Sequence, residues 1–257
     1  MIGALQWVIL LGRFDIAPAV MTMSRFRAAP REGHLKRLKH IYGYLNGKKE
    51  GAIRVRTEIP DMSAFPEQDF DWMYTVYGNV KEIIPKDVPK ALGKAVTTIS
   101  YVDANLLHDF LTGRSVTGIL HLLNQTPTDW FSKRQTTVET ATYGSEFTAA
   151  RIAVEQIMDL RITLRYFGVP IEGPAYLFGD NQSVVTSSTL PHFGLNKRWN
   201  ALSYHRVREA VASKMVRFYH IKGEHNPADV LSKHVGFPEM WRSINVKLVQ
   251  LWGTSAS

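Results

Sequence analysis

Four acidic residues in the second part of the chain could act together chemically: Asp103, Glu146, Asp180 and Asp229. Carboxylates that are brought close together repel one another unless cations neutralise them, and oxygen donors suit hard divalent ions such as Mg²⁺ or Mn²⁺. Two such ions about 4 Å apart can hold an attacking water and a leaving 3′-oxygen on either side of a phosphodiester. If the fold gathers these four residues, they predict metal-dependent phosphodiester hydrolysis.

The apolar pattern predicts an alternation of strands and helices that could gather the four carboxylates. The predicted strands are 95–102, 114–123, 129–133, 175–179 and 216–221, and the predicted helices run over 146–164, 202–213 and from 226 onward. This order predicts an α/β fold, with a mixed five-stranded sheet and helices packed on it. Asp103 and Asp180 then end strands, while Glu146 and Asp229 begin helices. Such positions meet at the crevice edge of an open sheet.

Charge is spread unevenly over the 257 residues, which have a net charge of +8 and no cysteine. Residues 1–56 contain 11 basic and 3 acidic residues, residues 57–90 contain 3 and 7, and residues 91–257 contain 17 and 13. The basic excess favours a polyanionic partner, and the lack of cysteine excludes disulfides, Cys-ligated zinc and a thiol nucleophile. We predict four parts: a basic helical piece (1–56), an acidic connector (57–94), the α/β domain (95–242) and a tail (243–257).

The first two parts have contrasting patterns. In the helical piece we expect one helix from Asp15 to about Arg27 and another over 31–45. The apolar run 2–11 is predicted to be a buried helix start, since it is too short to span a bilayer and lacks signal-peptide features. We therefore expect an intracellular protein that is not secreted. The connector contains prolines that oppose regular structure and aromatics that oppose disorder, so we expect an ordered strap on a neighbouring domain.

Ten short sequence words occur in a fixed order. Six are Tyr101-Val102-Asp103-Ala104, Trp130-Phe131-Ser132-Lys133-Arg134-Gln135, Ser145-Glu146-Phe147, Gly179-Asp180-Asn181, Tyr204-His205-Arg206-Val207-Arg208-Glu209 and Asn226-Pro227-Ala228-Asp229-Val230-Leu231-Ser232-Lys233. Together they resemble the ribonuclease H domain of copia-type retrotransposon polyproteins. The other four are Ile2-Gly3-Ala4-Leu5, Arg13-Phe14-Asp15-Ile16, Ser24-Arg25-Phe26 and Lys39-His40-Ile41-Tyr42-Gly43-Tyr44-Leu45-Asn46-Gly47. They resemble the C-terminal end of the reverse transcriptase in the same polyproteins.

The resemblance implies a ribonuclease H-like fold and an endonuclease that hydrolyses the RNA strand of RNA/DNA hybrids. It assigns Asp103, Glu146, Asp180 and Asp229 as catalytic residues and as ligands of two Mg²⁺ ions, for which Mn²⁺ could substitute. The implied partners are the RNA/DNA hybrid and the rest of the reverse transcriptase polyprotein, with no membrane. The implied location is the cytoplasm, including virus-like particles, or the nucleus.

Further residues are candidates for supporting roles. His225 precedes Asp229 by four residues and either assists proton transfer or product departure, as a loop histidine does in relatives, or is simply exposed. Four basic residues are candidates for contacts with the nucleic-acid backbone, the alternative being solvated or structural side chains. They are Lys133, Arg134, Lys197 and Arg208.

The chain also departs from the pattern of its resemblance. A polymerase palm needs a Tyr-x-Asp-Asp pair, and Ala104 stands where the second Asp should be. We therefore expect no polymerase activity. Asn105 to Phe110 replace the glycine-rich turn that often follows the first Asp in cellular ribonucleases H.

Other functions predict the same basic charge or a similar sheet. One alternative is an inactive nucleic-acid-binding remnant of a retrotransposon, and another is a ribonuclease H-like nuclease that acts on DNA. An integrase-type transposase would place Glu last among its acids and would need a zinc module with cysteines. A metabolic α/β enzyme would need a glycine-rich phosphate loop, which the sequence lacks.

Overall fold

The structure is a computed structural model that describes residues 1–109, 111–171, 173–195 and 198–233, together with the backbone of 249–250. The helices are α1 (Ile2–Leu10), α2 (Ala17–Ser24), α3 (Glu32–Gly47), α4 (Thr142–Tyr166), α5 (Gln182–Thr189), α6 (Ala201–Ala212) and α7 (Asp229–Ser232). The strands are β1 (Ala52–Ile53), β2 (Thr98–Asp109), β3 (Arg114–Leu123), β4 (Thr126–Arg134), β5 (Ala175–Gly179), β6 (Val216–His220) and β7 (Val249–Gln250). Short 3₁₀ turns lie at Phe14–Ile16, Arg198–Asn200 and Gly223–His225.

A five-stranded mixed sheet in the order β4-β3-β2-β5-β6 forms the centre of the molecule. β2, β3 and β4 form an antiparallel meander, whereas β5 and β6 join β2 in parallel. β1 and β7 form a separate antiparallel pair. The predicted fold class is confirmed: a mixed five-stranded sheet with helices packed on it follows a helical piece.

Alternate residues of the strands face two hydrophobic layers, as the period of two in a strand requires. On one face, Val102 and Ile119 pack with buried residues of α4 and α6. On the other face, Leu120 and Phe178 pack with Leu231 of α7 and with Phe14 of the helical piece. The sheet is therefore buried on both sides, which fixes the direction in which each strand side chain points.

The N-terminal helices form a small third cluster and are tied to the sheet by an ion pair. Arg25 Nη2 lies 2.5 Å from Asp109 Oδ1 at the end of β2. The predicted helix from Asp15 to Arg27 is shorter, because a 3₁₀ turn precedes α2 and Arg25 already follows it. The helix predicted within 2–11 is present as α1, but the prediction that it is buried is wrong: only Leu5 of α1 is buried, and Trp7 is 62% exposed.

Residues 57–94 form neither helix nor strand, yet they pack along one side of the α/β domain. Trp72 is 6% exposed within the core beside α4 and α6. Gln68 donates to the backbone carbonyl of Phe218 on the edge strand β6, at 2.8 Å. Glu82 is held by Arg161 at 2.8 Å and by Arg165 at 2.7 Å. The aromatic and charged side chains of this segment, which we call the strap, hold it in place without regular secondary structure.

The helix α5 was not predicted, and neither was the β1–β7 pair. Asn181 caps α5 through a hydrogen bond that its side chain accepts from the backbone of Val184. The sequence of α5 is rich in Ser and Thr and has only two Val residues, so it gives little periodic signal. Across the described residues, none of the helices has both the length and the apolar character needed to cross a bilayer.

Candidate active site

Three of the four predicted carboxylates converge at the end of the sheet where the parallel pairing of β2 and β5 stops. Asp103, Asp180 and Asp229 each offer an oxygen, and these atoms all lie within 4.8 Å of one another. Asp103 and Asp229 are buried, and Asp180 is half-buried. Glu146 is outside this set but close to it, because its buried carboxylate accepts a hydrogen bond from the backbone of Ala104.

The position of Asp103 corrects the sequence prediction. It does not end a strand, because β2 continues to Asp109 through its antiparallel pairing with β3. Its parallel pairing with β5, however, stops at Tyr101, two residues earlier. Asp180 directly follows the last residue of β5. Asp103 and Asp180 therefore still meet where the parallel part of the sheet ends.

Asp229 reaches the other two acids because α7 lies directly against the sheet. The residue opposite Asp103 on β3 is Gly118. A methyl group on Gly118 would lie 2.6 Å from the carbonyl oxygen of Ala228 and 2.8 Å from the backbone nitrogen of Ser232. Since any side chain would push α7 away, this glycine permits the short distance between Asp103 and Asp229.

Asn226 fastens the chain that leads into α7. Its Nδ2 donates to the carbonyl of Val102 at 2.9 Å, and its Oδ1 accepts from the backbone of Ala228 at 3.1 Å. The side chain of Asn226 thus joins the start of α7 to the backbone directly before Asp103. The predicted helix start at Asn226 is this turn, and the helix itself begins at Asp229.

Burial and mutual repulsion raise the pKa values of three of the four acids, although the charge of Lys233 opposes the rise in each of them. Burial raises the pKa of Asp229 to about 6, and the charge of Asp103 adds to the rise. Burial followed by the charge of Asp103 also raises the pKa of Asp180, and raises that of Glu146 well above its usual value. Asp103 affects all three others, so it lies at the centre of the group. A hard divalent cation fits this all-oxygen donor set.

Two residues at the end of α7 contact the acids directly. Lys233 Nζ lies 2.6 Å from Asp229 Oδ1 and 3.3 Å from Asp103 Oδ1. The hydroxyl of Ser232 donates to the other oxygen, Oδ2, of Asp103. Both residues belong to the last sequence word, but sequence reasoning gave them no role. The spacing of four between Asp229 and Lys233 was the available signal, because residues so spaced meet on a helix.

Two histidines lie in the region of Asp180. His225 ends a 3₁₀ turn, is exposed and lies 3.6 Å from Glu224. That turn approaches Asp180, since a methyl group on Gly223 would lie 3.2 Å from its Oδ2. His220, which sequence reasoning did not single out, places Nε2 at 3.1 Å from the backbone carbonyl of Asp180. The assisting role of His225 remains a prediction.

The basic candidates fall into different environments. Lys133 is exposed on β4 and makes no ion pair within the described ranges. Arg134 is half-exposed and its Nη1 lies 2.6 Å from Asp109, which also binds Arg25. Lys197 lies outside the described residues. Of the two that are described, Lys133 is the side chain more available to a nucleic-acid backbone.

Arg208 corrects the prediction of a phosphate contact. It is 2% exposed and donates hydrogen bonds to the carbonyls of Ser187, Leu190 and Pro191, at 2.6, 2.8 and 2.7 Å. Its guanidinium also lies 4.7 Å from the ring centroid of Trp72 in the strap. A cation enclosed in this way cannot reach a duplex, and its role is to join α5, α6 and the strap.

Sequence comparison places this chain beside polyproteins of plant transposons, although no protein-family model matches it. It is 24% identical over 248 residues to the retrovirus-related Pol polyprotein from transposon RE2 of Arabidopsis thaliana, covering 95% of this chain and 15% of the relative. It is also 24% identical over 234 residues to that from transposon TNT 1-94 of Nicotiana tabacum, covering 91% of this chain and 15% of the relative. The chain thus spans about 15% of the length of these curated relatives.

Among solved structures, the chain is similar to the ribonuclease H1 LC11, determined in complex with an RNA/DNA hybrid. The TM-score is 0.43 and the identity 16%, over 53% of this chain and 94% of the other. The resemblance to retrotransposon polyproteins that the sequence words indicated is confirmed by the sequence relatives: homologues of this chain are retrovirus-related Pol polyproteins.

Proposed function

We propose that this chain is the ribonuclease H-type part of a retrotransposon reverse transcriptase polyprotein, a metal-dependent endonuclease that hydrolyses the RNA strand of RNA/DNA hybrids. The observation that carries the proposal is the convergence of Asp103, Asp180 and Asp229 within 4.8 Å. These residues are far apart in the sequence and come from three different elements. The homology to Pol polyproteins supports the same interpretation, because those relatives are described as retrovirus-related proteins of transposons.

Each acid has a proposed role that follows from its position. Asp103, whose charge acts on the three other acids, would hold the divalent ions together with Asp180, Asp229 and Glu146. When bound, Mg²⁺ ions would lower the pKa of the attacking water and stabilise the leaving 3′-oxygen. Ser232 orients Asp103 by donating to one of its oxygens, which leaves Oδ1 directed toward the site.

The substrate is proposed from chemistry around the site. Lys133, which is exposed on the edge strand β4, is proposed to contact a phosphate, and Lys197 is a second candidate. Such contacts make binding salt-sensitive. Selectivity for RNA would come from contacts to the 2′-hydroxyl and from the shape of the hybrid. His225, in the exposed turn beside Asp180, is proposed to assist proton transfer or product departure.

The remaining expectations belong to the same proposal. Residues 1–56 would be the end of the reverse transcriptase, residues 57–94 its connector and residues 95–242 the nuclease domain, followed by a tail. The rest of the polyprotein is the proposed partner, in the cytoplasm or the nucleus. No polymerase activity is proposed, since Ala104 replaces the second acid of the palm motif.

The test uses the full chain, Mg²⁺ or Mn²⁺ and a hybrid labelled on its RNA strand, with single-stranded RNA and duplex DNA as alternative substrates. Asp103→Asn removes the central charge. Asp159→Asn is the matched control, because Asp159 is exposed on α4, roughly 20 Å along the helix from Glu146 at 1.5 Å per residue.

We expect cleavage of hybrid RNA by the wild type and by D159N, and at least a hundredfold less by D103N. Equal cleavage of duplex DNA would favour a nuclease that acts on DNA. A folded protein that binds the hybrid but cleaves nothing would contradict the proposal and favour an inactive nucleic-acid-binding remnant. Circular dichroism of all variants shows whether a loss of cleavage reflects unfolding.

A further inference from the structure

The ammonium group of Lys233 lies among the carboxylates instead of in solvent. Its Nζ is 2.6 Å from Asp229 and 3.3 Å from Asp103. The side chain of Asp103 is 1% exposed and that of Asp229 is 12% exposed, whereas that of Lys233 is 37% exposed. The lysine therefore enters the cluster from its open side and places its charge between two buried acids.

This contact differs in kind from the other lysine ion pairs of the described residues. Lys36 and Glu32 have the same spacing of four on a helix, at 2.9 Å, but their side chains are 74% and 80% exposed. Such surface pairs contribute little because water screens them. The Lys233 pairs are shielded on the carboxylate side, so this ammonium affects the cluster strongly. Its charge lowers the pKa of Glu146, Asp180 and Asp229, against the effect of burial.

A lysine ammonium and a divalent cation cannot occupy the same space between Asp103 and Asp229. Two positive charges a few ångströms apart also repel each other strongly in a partly buried site. Lysine can avoid this conflict because its charge sits on a flexible four-carbon stem that is partly open to solvent. Arginine at the same position would keep the charge but has a larger, planar head group.

We propose that Lys233 is an internal counter-ion that competes with the divalent metal: it occupies the space between Asp103 and Asp229 in the metal-free protein and leaves it when the ion binds. This inference rests on the proposed function, since it takes the cluster to be the metal site. Lys233 stabilises the empty site, at the expense of metal affinity. It is a positioning residue, because it acts through the acids that would hold the metal.

The test compares Lys233→Met, which keeps the length of the stem but removes the charge, with the wild type. Lys36→Met is the matched control, because it makes the same change in an exposed pair with the same spacing. Isothermal titration calorimetry with Mn²⁺ gives the Kd of the chelator-treated proteins, and thermal unfolding is recorded in EDTA and in Mn²⁺.

For K233M we expect a Kd for Mn²⁺ at least tenfold lower than that of the wild type. Its melting temperature in EDTA should be lower and should rise more on addition of Mn²⁺, while K36M should match the wild type in each measurement. If K233M is unfolded in EDTA and Mn²⁺ restores its structure, the counter-ion role is supported, because the metal then replaces the lost charge.

Two other outcomes separate this inference from the proposed function. If the wild type binds Mn²⁺ and K233M binds it with the same or a higher Kd, the competition is refuted while the metal site stands. If neither protein binds Mn²⁺, the metal site and the proposed nuclease mechanism fail, and this inference fails with them.

Discussion

Gly118 provides the sharpest test of how packing controls the site. In Gly118→Ala, the new methyl group would lie 2.6 Å from the carbonyl oxygen of Ala228, 2.8 Å from the nitrogen of Ser232 and 2.9 Å from the carbonyl carbon of Leu231. Favourable contacts between carbon atoms need about 3.5–4.0 Å. All three contacts are with backbone atoms, which no side-chain rotation can move aside, so α7 itself must shift by roughly 1 Å.

Two effects should follow from this shift. Overpacking of this kind costs typically about 1–3 kcal/mol, so the free energy of unfolding should fall by that amount. Asp229 would also move away from Asp103, and a displacement of about 1 Å in a catalytic group can cost about a hundredfold in rate. We therefore expect G118A to remain folded at 25 °C, with hybrid cleavage reduced about a hundredfold and with weaker binding of Mn²⁺.

The assay measures urea unfolding in EDTA, Mn²⁺ binding and cleavage of a labelled hybrid on the same preparation. Gly43→Ala is the control, because it makes the same change in the exposed helix α3, where no atom lies within 4 Å of the added methyl group. Alanine there should stabilise the helix by up to about 1 kcal/mol and leave cleavage unchanged. If G118A matches the wild type in stability and metal binding, the claim that this glycine sets the position of α7 is refuted.

Further predictions concern pH, the strap and the nucleic-acid surface. The pKa of Asp229 is raised to about 6 in the folded protein, so ionisation of Asp229 opposes folding. In EDTA, the free energy of unfolding should therefore fall by on the order of 2 kcal/mol between pH 4 and 7. Asp229→Asn should abolish this fall, and Mg²⁺ should offset it. For Glu82, burial alone would raise the pKa, but its arginine partners lower it to about 2. The free energy of unfolding of Glu82→Gln should therefore be about 3 kcal/mol lower at pH 7, because buried Arg161 loses its carboxylate partner and keeps the carbonyl of Gly173. Urea titrations should show this difference vanishing as the pH falls from 4.5 through 2. Arg208→Lys should lower the free energy of unfolding by about 2 kcal/mol, because the lysine ammonium lacks the planar geometry with which the guanidinium donates to three carbonyls. Its affinity for the hybrid should be unchanged. A loss of affinity in the folded variant would support the phosphate contact instead. Lys133→Ala should weaken hybrid binding and reduce the slope of log K against log salt by about one, and an unchanged slope would remove Lys133 from the interface.

Much of the architecture could be predicted because its causes are local. The sequence pattern predicted every strand of the main sheet, and α4 includes the predicted helix over 146–164. The aromatic content of the strap predicted an ordered segment, and Trp72 is indeed buried against the α/β domain. The boundary at Asp103 could not be predicted, because β2 is prolonged by hydrogen bonds to β3 and not by its own residue preferences.

The residue types that could hold a divalent metal, and the order in which the elements present them, can be read from the sequence. Which charged residues face that site depends on tertiary packing. From the sequence, Arg208 and Lys233 could each face solvent on or beside a helix. In the structure Arg208 lies under the strap against Trp72, and Lys233 lies between Asp103 and Asp229. Of these partners, Trp72 and Asp103 lie more than a hundred residues away in the chain. Local periodicity shows that a side chain lies on a helix face, but burial and charge depend on the distant segments that cover this face.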